Sequence, residues 1–231
     1  MQNPISMINK GFLRVAAVAS CASAVTTLLL IFLPEFFQPA EGFEGRMARV
    51  FDPAYRVRAW VYLVHPFLVM TAALGVAFAL RPSAPVLSAV GLLAFGLWAF
   101  TEAGQQTLTL FAFDKWRVAY ATADEGLRTT IRINSVMYDG LWDAMYVLLL
   151  IGFAIGNASF GAVLISRSGL SRIVGGFLIA ACVLTVLLFM NELGWPLLPG
   201  RVAGWMYPAI QPLGRVLMGV WLWRMAGSSP R

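Results

Sequence analysis

Residues 136–163 read VMYDGLWDAMYVLLLIGFAIGNASFGAV, and this stretch indicates the class of protein. From Ala144 onward the stretch carries no charged residue. About 20 consecutive apolar residues are enough for an α-helix to cross a bilayer, whereas apolar helices of soluble cores are usually shorter. The stretch is therefore predicted to be a membrane-spanning helix.

Comparable apolar runs fill most of the chain of 231 residues. Hydrophobic residues make up 59% of the sequence and charged residues only 12%, whereas soluble domains carry roughly 25% charged residues. So little charge cannot cover a globule of this size, and lipid must therefore contact much of the surface. The sequence predicts an all-α, polytopic membrane helix bundle in a single domain, 1–231. Its six transmembrane helices are predicted at about 12–33, 59–80, 84–113, 136–163, 172–193 and 204–225.

The distribution of basic residues predicts the orientation of the bundle. With the N-terminus inside, the segments on the inner side carry basic residues and no acid, and every acid of the loops falls outside. Short, purely basic segments are typical of the cytoplasmic side. Both termini are therefore predicted to be cytoplasmic, in a multi-pass protein of the inner (plasma) membrane. The inner basic residues are Lys10, Arg14, Arg81, Arg167, Arg172, Arg224 and Arg231.

The net charge of +6 does not indicate a nucleic-acid partner. The basic residues stand singly between apolar runs, and none of them forms the continuous patch that is needed to follow a phosphate backbone. We expect membrane lipid, and no nucleic acid, around the chain. A small molecule or ion and a membrane-protein partner are further expected classes of partner.

Two longer connections, 34–58 and 114–135, are polar and fall on the outer side in this orientation. The first mixes acids and arginines with several aromatic residues, which predicts that part of it lies in the membrane interface. The second is predicted to be a loop that contains at most a short surface helix.

Ionisable side chains inside the spans are the candidate functional residues, because a charge at the centre of a membrane helix costs at least about 2.5–3.5 kcal/mol. At about 1.5 Å per residue, Glu102 and Arg215 lie on the order of 15 Å deep, close to the midplane. Asp139 and Asp143 are spaced i,i+4 and share one helix face. Polar residues are scarce in the inner halves of the middle helices, which predicts an outward-facing vestibule with an apolar floor. The candidate ligand-binding residues are Arg215, Glu102, His65, Asp139, Asp143, Gln211 and Gln105.

Three interpretations of these polar residues stay open. Arg215 and a carboxylate, such as Glu102, can form a buried ion pair that fixes the helix register. The same residues can instead bind an anionic group, a cation or a proton. A metal-dependent intramembrane enzyme is the third interpretation, but neither HExxH nor Glu-x-x-His spacing accompanies His65, the only histidine. We therefore predict no catalytic residue, no cofactor and no metal.

Small residues and prolines inside the spans predict details of the packing. Gly152 and Gly156 form a small-xxx-small motif, which is typical of helices that approach each other closely. Three prolines each remove a backbone hydrogen bond and can kink their helix. They are compatible with ordinary bundle packing or with a widened outer half. These prolines are Pro66, Pro208 and Pro212.

A family resemblance is carried by Glu102 in the third span, by RSGLSR at 167–172, and by QPLGRVLMGVWLW at 211–223. Together with the six-span layout, these segments resemble an uncharacterised family of small bacterial integral membrane proteins. Members of that family often carry an acid at the position of Arg215 and a basic residue at that of Ala99. The resemblance implies the fold, and roles of individual residues do not carry over from it.

The leading hypothesis from the sequence is a protein that binds or transports a small ligand through the outward-facing polar vestibule. The alternative is a non-catalytic accessory or assembly subunit, whose polar residues organise its own helices or those of a membrane partner. An intramembrane enzyme is the third hypothesis. The leading hypothesis requires that the polar residues of different helices face one cavity.

Overall fold

The computed structural model describes residues 4–39, 41–195, 197 and 199–227, with the backbone alone at 4–9, 200–205 and 207. In the described part of the chain the fold is helical, without β-strands. Six α-helices there are long and two are short. In chain order they are α1 (Pro4–Phe32), α2 (Gly42–Ala48), α3 (Pro53–Leu80), α4 (Pro85–Leu108), α5 (Asp114–Thr122), α6 (Glu125–Ile165), α7 (Leu170–Glu192) and α8 (Gly200–Gly227).

Five helical segments in the described residues are long and apolar enough to cross a membrane. They cover the first five predicted spans to within one residue and agree with a polytopic membrane protein. The sixth predicted span, 204–225, lies within α8, which is not among the five. The sixth span and the orientation therefore stay predictions. The five segments are Lys10–Phe36, Pro53–Leu80, Pro85–Thr122, Glu125–Ile165 and Leu170–Glu192.

The six long helices form a closed ring. Following the ring, α1 packs on α3, α3 on α4, α4 on α6, α6 on α7, α7 on α8, and α8 again on α1. Short turns join α3 to α4 and α6 to α7, so these pairs run antiparallel. Gly169 ends the second of these turns with a φ of +62°, a conformation that glycine adopts without strain. The arrangement leaves space along the axis of the ring.

The small-xxx-small motif of α6 marks its contact with α4, as predicted. A Cβ atom on Gly152 would lie 2.8 Å from the carbonyl oxygen of Ala94 and 3.0 Å from the backbone nitrogen of Trp98. A Cβ atom on Gly156 would lie 2.7 Å from the ring of Phe95. Only glycine fits these two positions at the present separation of the helices.

Apolar side chains fill the half of the ring nearer the α3–α4 and α6–α7 turns. Phe95 and Phe160 stack with their ring centroids 5.5 Å apart, and Phe153 meets Phe95 edge-on at 5.9 Å. Leu80 and Leu222 are completely buried in the same cluster. This aromatic and aliphatic core closes one end of the space along the axis.

The polar segment 114–135 is helical, so the prediction of a loop there was wrong. A π-helical turn, Thr109–Phe113, connects α4 directly to α5, and α6 begins at Glu125. The carboxylate of Asp124 caps α6 by accepting the N–H of Leu127 at 2.8 Å. Hydropathy could not show that α6 extends beyond its apolar run, because the helix, with 41 residues, is longer than a membrane span. At about 1.5 Å per residue, a helix of that length is roughly twice as long as the hydrocarbon core is thick.

The connection between α1 and α3 packs against the same extension. Met47 of α2 lies in a second apolar cluster with Phe113, Tyr120 and Ile131. At the edge of this cluster Arg132 of α6 pairs with Glu44 of α2, with 3.0 Å between Nη2 and Oε1. Helix α2 is thereby fixed over one end of the ring.

Helix α3 begins at Pro53, earlier than the predicted 59, because Asp52 provides an N-cap. Its carboxylate accepts the backbone N–H of Ala54 at 2.8 Å and that of Gln38 at 2.6 Å. The N–H donors, foremost that of Gln38, hold the pKa of Asp52 below its ordinary value. The cap adds more than a turn of helix to the predicted span and brings Arg58 onto α3.

Candidate functional site

A cavity of about 380 Å³ occupies the axis of the ring in the half that the aromatic core leaves open, and we call it the main cavity. Residues from all six long helices line it. Small-molecule sites typically enclose about 300–1,000 Å³, so the volume suits a small ligand. The charged and hydrogen-bonding residues of the lining are Thr27, Arg58, Tyr62, His65, Glu102, Gln105, Gln106, Tyr146, Thr185 and Arg215.

Four of the seven predicted site residues line the main cavity: His65 on α3, Glu102 and Gln105 on α4, and Arg215 on α8. Glu102 is 5% exposed and Arg215 is 8% exposed. Glu102 lies on α4 and Arg215 on α8, two helices that are far apart in the sequence and are not neighbours in the ring. The structure therefore brings together polar side chains that the sequence placed at similar depths.

Arg215 faces the other ionisable groups of the main cavity. Its guanidinium acts electrostatically on both Glu102 and His65. Its Nη1 donates to the hydroxyl of Ser23 at 3.3 Å, and its carbonyl oxygen accepts from the hydroxyl of Ser20 at 2.7 Å. Both serines belong to α1, so α1 positions the arginine while its charge acts across the cavity.

Hydrogen bonds from neighbouring helices also fix His65 and Gln105. Nδ1 of His65 shares a hydrogen bond of 2.7 Å with the hydroxyl of Thr26. The imidazole ring meets Trp98 edge-on, with centroids 6.0 Å apart. Nε2 of Gln105 donates to the carbonyl oxygen of Trp142 at 2.9 Å. These contacts between protein atoms hold the polar groups in place, as in a preformed site.

Gln211 faces a different space from the one predicted. It lines a small pocket of about 30 Å³ on the floor of the main cavity, together with Asn157 and Phe153. Arg215 and Phe153 line both spaces. A pocket of that size holds only a water molecule or two. Gln211 thus lies one helical turn along α8 from Arg215 and outside the main cavity.

Asp139 and Asp143 do not line the main cavity. Asp139 is exposed and pairs with Arg46 of α2, with 3.5 Å between Oδ2 and Nη1. Asp143 is exposed and lies outside the lining of both the main cavity and the small pocket on its floor. Trp142 and Tyr146 occupy the side of α6 that faces the main cavity, so the residue next to Trp142 points away from it.

A second cavity of about 390 Å³ adjoins the main cavity on the side of α5. Four residues line both cavities, and we call this set the neck: Arg58, Tyr62, Gln106 and Trp142. Asp139 lines the second cavity opposite the neck. The two cavities therefore lie side by side and share the neck residues, with the second cavity nearer α5 and the main cavity nearer Glu102 and Arg215.

An ionic cluster lies at the second cavity. Nη1 of Arg117 pairs with Oδ1 of Asp114 at 3.0 Å and also donates to the hydroxyl of Tyr55. The Tyr55 hydroxyl donates to the same carboxylate oxygen at 3.2 Å. The π-helical turn before α5 sets the rotation of that helix and so turns Asp114 and Arg117 toward α3.

Sequence analysis missed several residues of the lining. Arg58 was assigned to the outer connection, and Tyr62 was read as an ordinary residue of a span. Trp142 and Tyr146 are not among the predicted site residues, which on α6 are Asp139 and Asp143. A usable signal was present, since Arg58, Tyr62 and His65 follow one face of α3, as Trp142 and Tyr146 follow one face of α6. Polar and aromatic residues that repeat at helical spacing indicate a common lining.

The described residues contain no group of three or more His, Cys, Asp or Glu side chains that could hold a metal ion. What the lining offers is one carboxylate, guanidinium groups, one imidazole and several amides and hydroxyls between aromatic walls. Such a set can hold a charged or polar molecule by ion pairs and hydrogen bonds.

No family model, curated protein or solved structure matches the chain. The resemblance to small bacterial six-helix membrane proteins therefore stays a prediction.

Proposed function

We propose that this chain is a multi-pass membrane protein that binds a small polar ligand in the main cavity. The observation that carries the proposal is the convergence of His65, Glu102, Gln105 and Arg215 on a cavity of about 380 Å³. Buried ionisable residues in membrane helices are costly and are usually retained for a function. Groups from three helices facing one space fit a ligand site better than four independent structural roles.

The composition of the lining supports a ligand that has both polar and apolar parts. Ligand sites are mostly apolar, with a few polar groups that fix the orientation of the ligand. Trp98, Trp142 and Tyr146 supply broad apolar walls, while Glu102 and Arg215 supply opposite charges. A ligand can therefore bury its body between the rings and pair its polar group with a charge.

The proposal includes the predicted topology, in which the chain has six spans and both termini lie in the cytoplasm. It also includes the predicted location in the inner (plasma) membrane. The turns at the closed end of the ring carry Arg81, Arg167 and Arg172 without an acid. Both acid-containing connections lie at the open end. The positive-inside rule then directs the main cavity to the outer side.

A pair of acid-to-amide variants tests the binding role. Glu102→Gln removes the carboxylate charge from the main cavity with little change in volume. Asp143→Asn makes the same chemical change at an exposed position outside the main cavity. The purified proteins are tested by thermal unfolding against a collection of small charged and polar molecules. A compound that stabilises the wild type should stabilise Asp143→Asn equally and Glu102→Gln weakly.

The expected loss follows from one hydrogen bond to a charged group, about 1.5–3 kcal/mol, or roughly 10- to 150-fold in Kd. Equal stabilisation of Glu102→Gln and Asp143→Asn by the same compound would contradict a binding role for Glu102. Failure of every compound with the wild type, together with loss of folded yield in Glu102→Gln, would favour the accessory-subunit alternative.

A further inference from the structure

We propose that Arg58 is the residue that selects the ligand at the neck, and that the ligand of the main cavity is a small molecule bearing an anionic oxygen group. The inference rests on the proposed function, because it concerns access to the same cavity. Arg58 is half-buried and lines both cavities. A molecule that moves from the second cavity to the main cavity has to pass its guanidinium.

The backbone of α1 holds Arg58 in the neck. Nε of Arg58 donates to the carbonyl oxygen of Leu30 at 3.2 Å. In a continuing α-helix that carbonyl would accept the N–H of residue 34, but Pro34 has no N–H to donate. Proline at this position therefore frees an acceptor at the end of α1, and Arg58 takes it.

An aromatic ring steadies the other side of the guanidinium. Cζ of Arg58 lies 4.7 Å from the centroid of Tyr62, within cation–π distance. This contact uses one face of the guanidinium plane, and the contact to Leu30 uses only the Nε–H. An arginine has five N–H donors in a planar fork. The terminal N–H groups of Arg58 are therefore suited to bind a carboxylate or phosphate oxygen.

The carboxylates at the second cavity are held by other arginines. Asp114 pairs with Arg117, and Asp139 pairs with Arg46. Among the described residues no carboxylate lies within ion-pair distance of Arg58. Its charge at the neck is therefore not neutralised by a direct partner.

Glu102, the carboxylate of the main cavity, faces Arg215. With Glu102 ionised, the main cavity still holds two guanidinium groups for one carboxylate. An anion entering the neck therefore meets a positive potential, and a cation is repelled. A unit charge about 8 Å away, at an effective dielectric constant of about 20, changes the local concentration of an ion roughly 30-fold. Screening by salt over about one Debye length reduces this to roughly fourfold for each ion, so that an anion is favoured over a cation on the order of tenfold.

A cysteine placed beyond the neck measures this selection without knowledge of the natural ligand. Thr27 lines the main cavity and is 5% exposed, so Thr27→Cys is the reporter. The native Cys21 and Cys182 are free thiols and are first changed to alanine. The full chain in lipid nanodiscs is treated with methanethiosulfonates of three kinds: the sulfonatoethyl anion, the trimethylammonioethyl cation and the neutral methyl compound. Each rate is divided by that of free cysteine with the same reagent.

The normalised rate of the anionic reagent should exceed that of the cationic reagent by about tenfold. Arg58→Gln should abolish this preference, and Arg58→Lys, which keeps the charge, should retain most of it. Arg56→Gln is the matched control, because it removes the same charge from an exposed position on the same helix. It should leave the ratio unchanged.

The outcomes separate the two proposals. A ratio that does not respond to Arg58→Gln, or that falls equally with Arg56→Gln, overturns the role of Arg58. Reaction with the neutral reagent but no preference for the anion leaves the binding cavity standing and overturns only the anion selection. No reaction with the neutral reagent contradicts the open cavity itself. If Arg58→Gln does not fold, the protein with native Arg58 still tests the inference. An anion-to-cation ratio of normalised rates at or below one overturns it.

Discussion

Replacing Gly152 by alanine is expected to force α4 and α6 apart and to destabilise the protein. The added Cβ would lie 2.8 Å from the carbonyl oxygen of Ala94 and 3.0 Å from the backbone nitrogen of Trp98. Backbone atoms cannot rotate out of the way as a side chain can. Overpacking of this kind costs about 1–3 kcal/mol, which outweighs the gain of up to about 1 kcal/mol when alanine replaces glycine inside a helix. We expect a net loss of about 1–2 kcal/mol.

Gly140 provides the matched control on the same helix, because a Cβ there meets no atom within 4 Å. Gly140→Ala should be neutral or stabilising. The two variants and the wild type are compared by thermal unfolding in the same detergent. Since about 1 kcal/mol shifts Tm by roughly 2–4 °C in a chain of this size, Gly152→Ala should unfold about 2–8 °C below the wild type. Equal Tm values for the two variants would refute the close contact of α4 and α6.

Two further predictions concern the open end of the ring. The pKa of Glu44 lies below its ordinary value because Tyr120 and Arg132 donate hydrogen bonds to it. Its stabilising contribution is therefore complete at neutral pH and is lost as the pH falls through the lowered pKa. Hydrogen exchange of the α2 amides, corrected for its intrinsic pH dependence, should rise on acidification in the wild type and already be fast at neutral pH in Glu44→Gln. Asp52→Ala should cost about 1–2 kcal/mol through loss of the N-cap of α3, and Asp52→Asn less, because asparagine also caps helices. Identical thermal unfolding of the two Asp52 variants would argue against the cap.

The helices of the apolar segments could be predicted because the hydrocarbon core of a bilayer requires the residues of a span to be predominantly apolar. The runs at 59–80 and 172–193 end close to the ends of α3 and α7, where Arg81-Pro82 and Gly194 interrupt the apolar pattern. The helical segment 114–135 could not be predicted in this way, because its helices lie outside the apolar pattern and are fixed by caps and by packing on α2.

The matching levels of Glu102 and Arg215 along their helices were predictable from the sequence, whereas the rotation of the helices was only partly so. Glu102 and Arg215 were placed near one level, and they share the main cavity. Asp139 and Asp143 lie on one side of α6 as their spacing requires, but helical periodicity alone does not say which side faces inward. The neighbours of α6 decide that, and they turn Trp142 toward the axis of the ring.

The floor of the main cavity bears on whether a ligand stops there or passes through. Phe153 lines both the main cavity and the small pocket beneath it, and it packs edge-on against Phe95. Beside it, α4 and α6 are in close contact at Gly152 and Ala94. A ligand that continued beyond Arg215 would have to move Phe153 and open this helix contact, where even one added methyl group is expected to cost about 1–3 kcal/mol. Entry from the neck and binding beside Arg215 require no such movement. The geometry therefore favours a role in which the ligand is held in the main cavity and leaves by the route it entered.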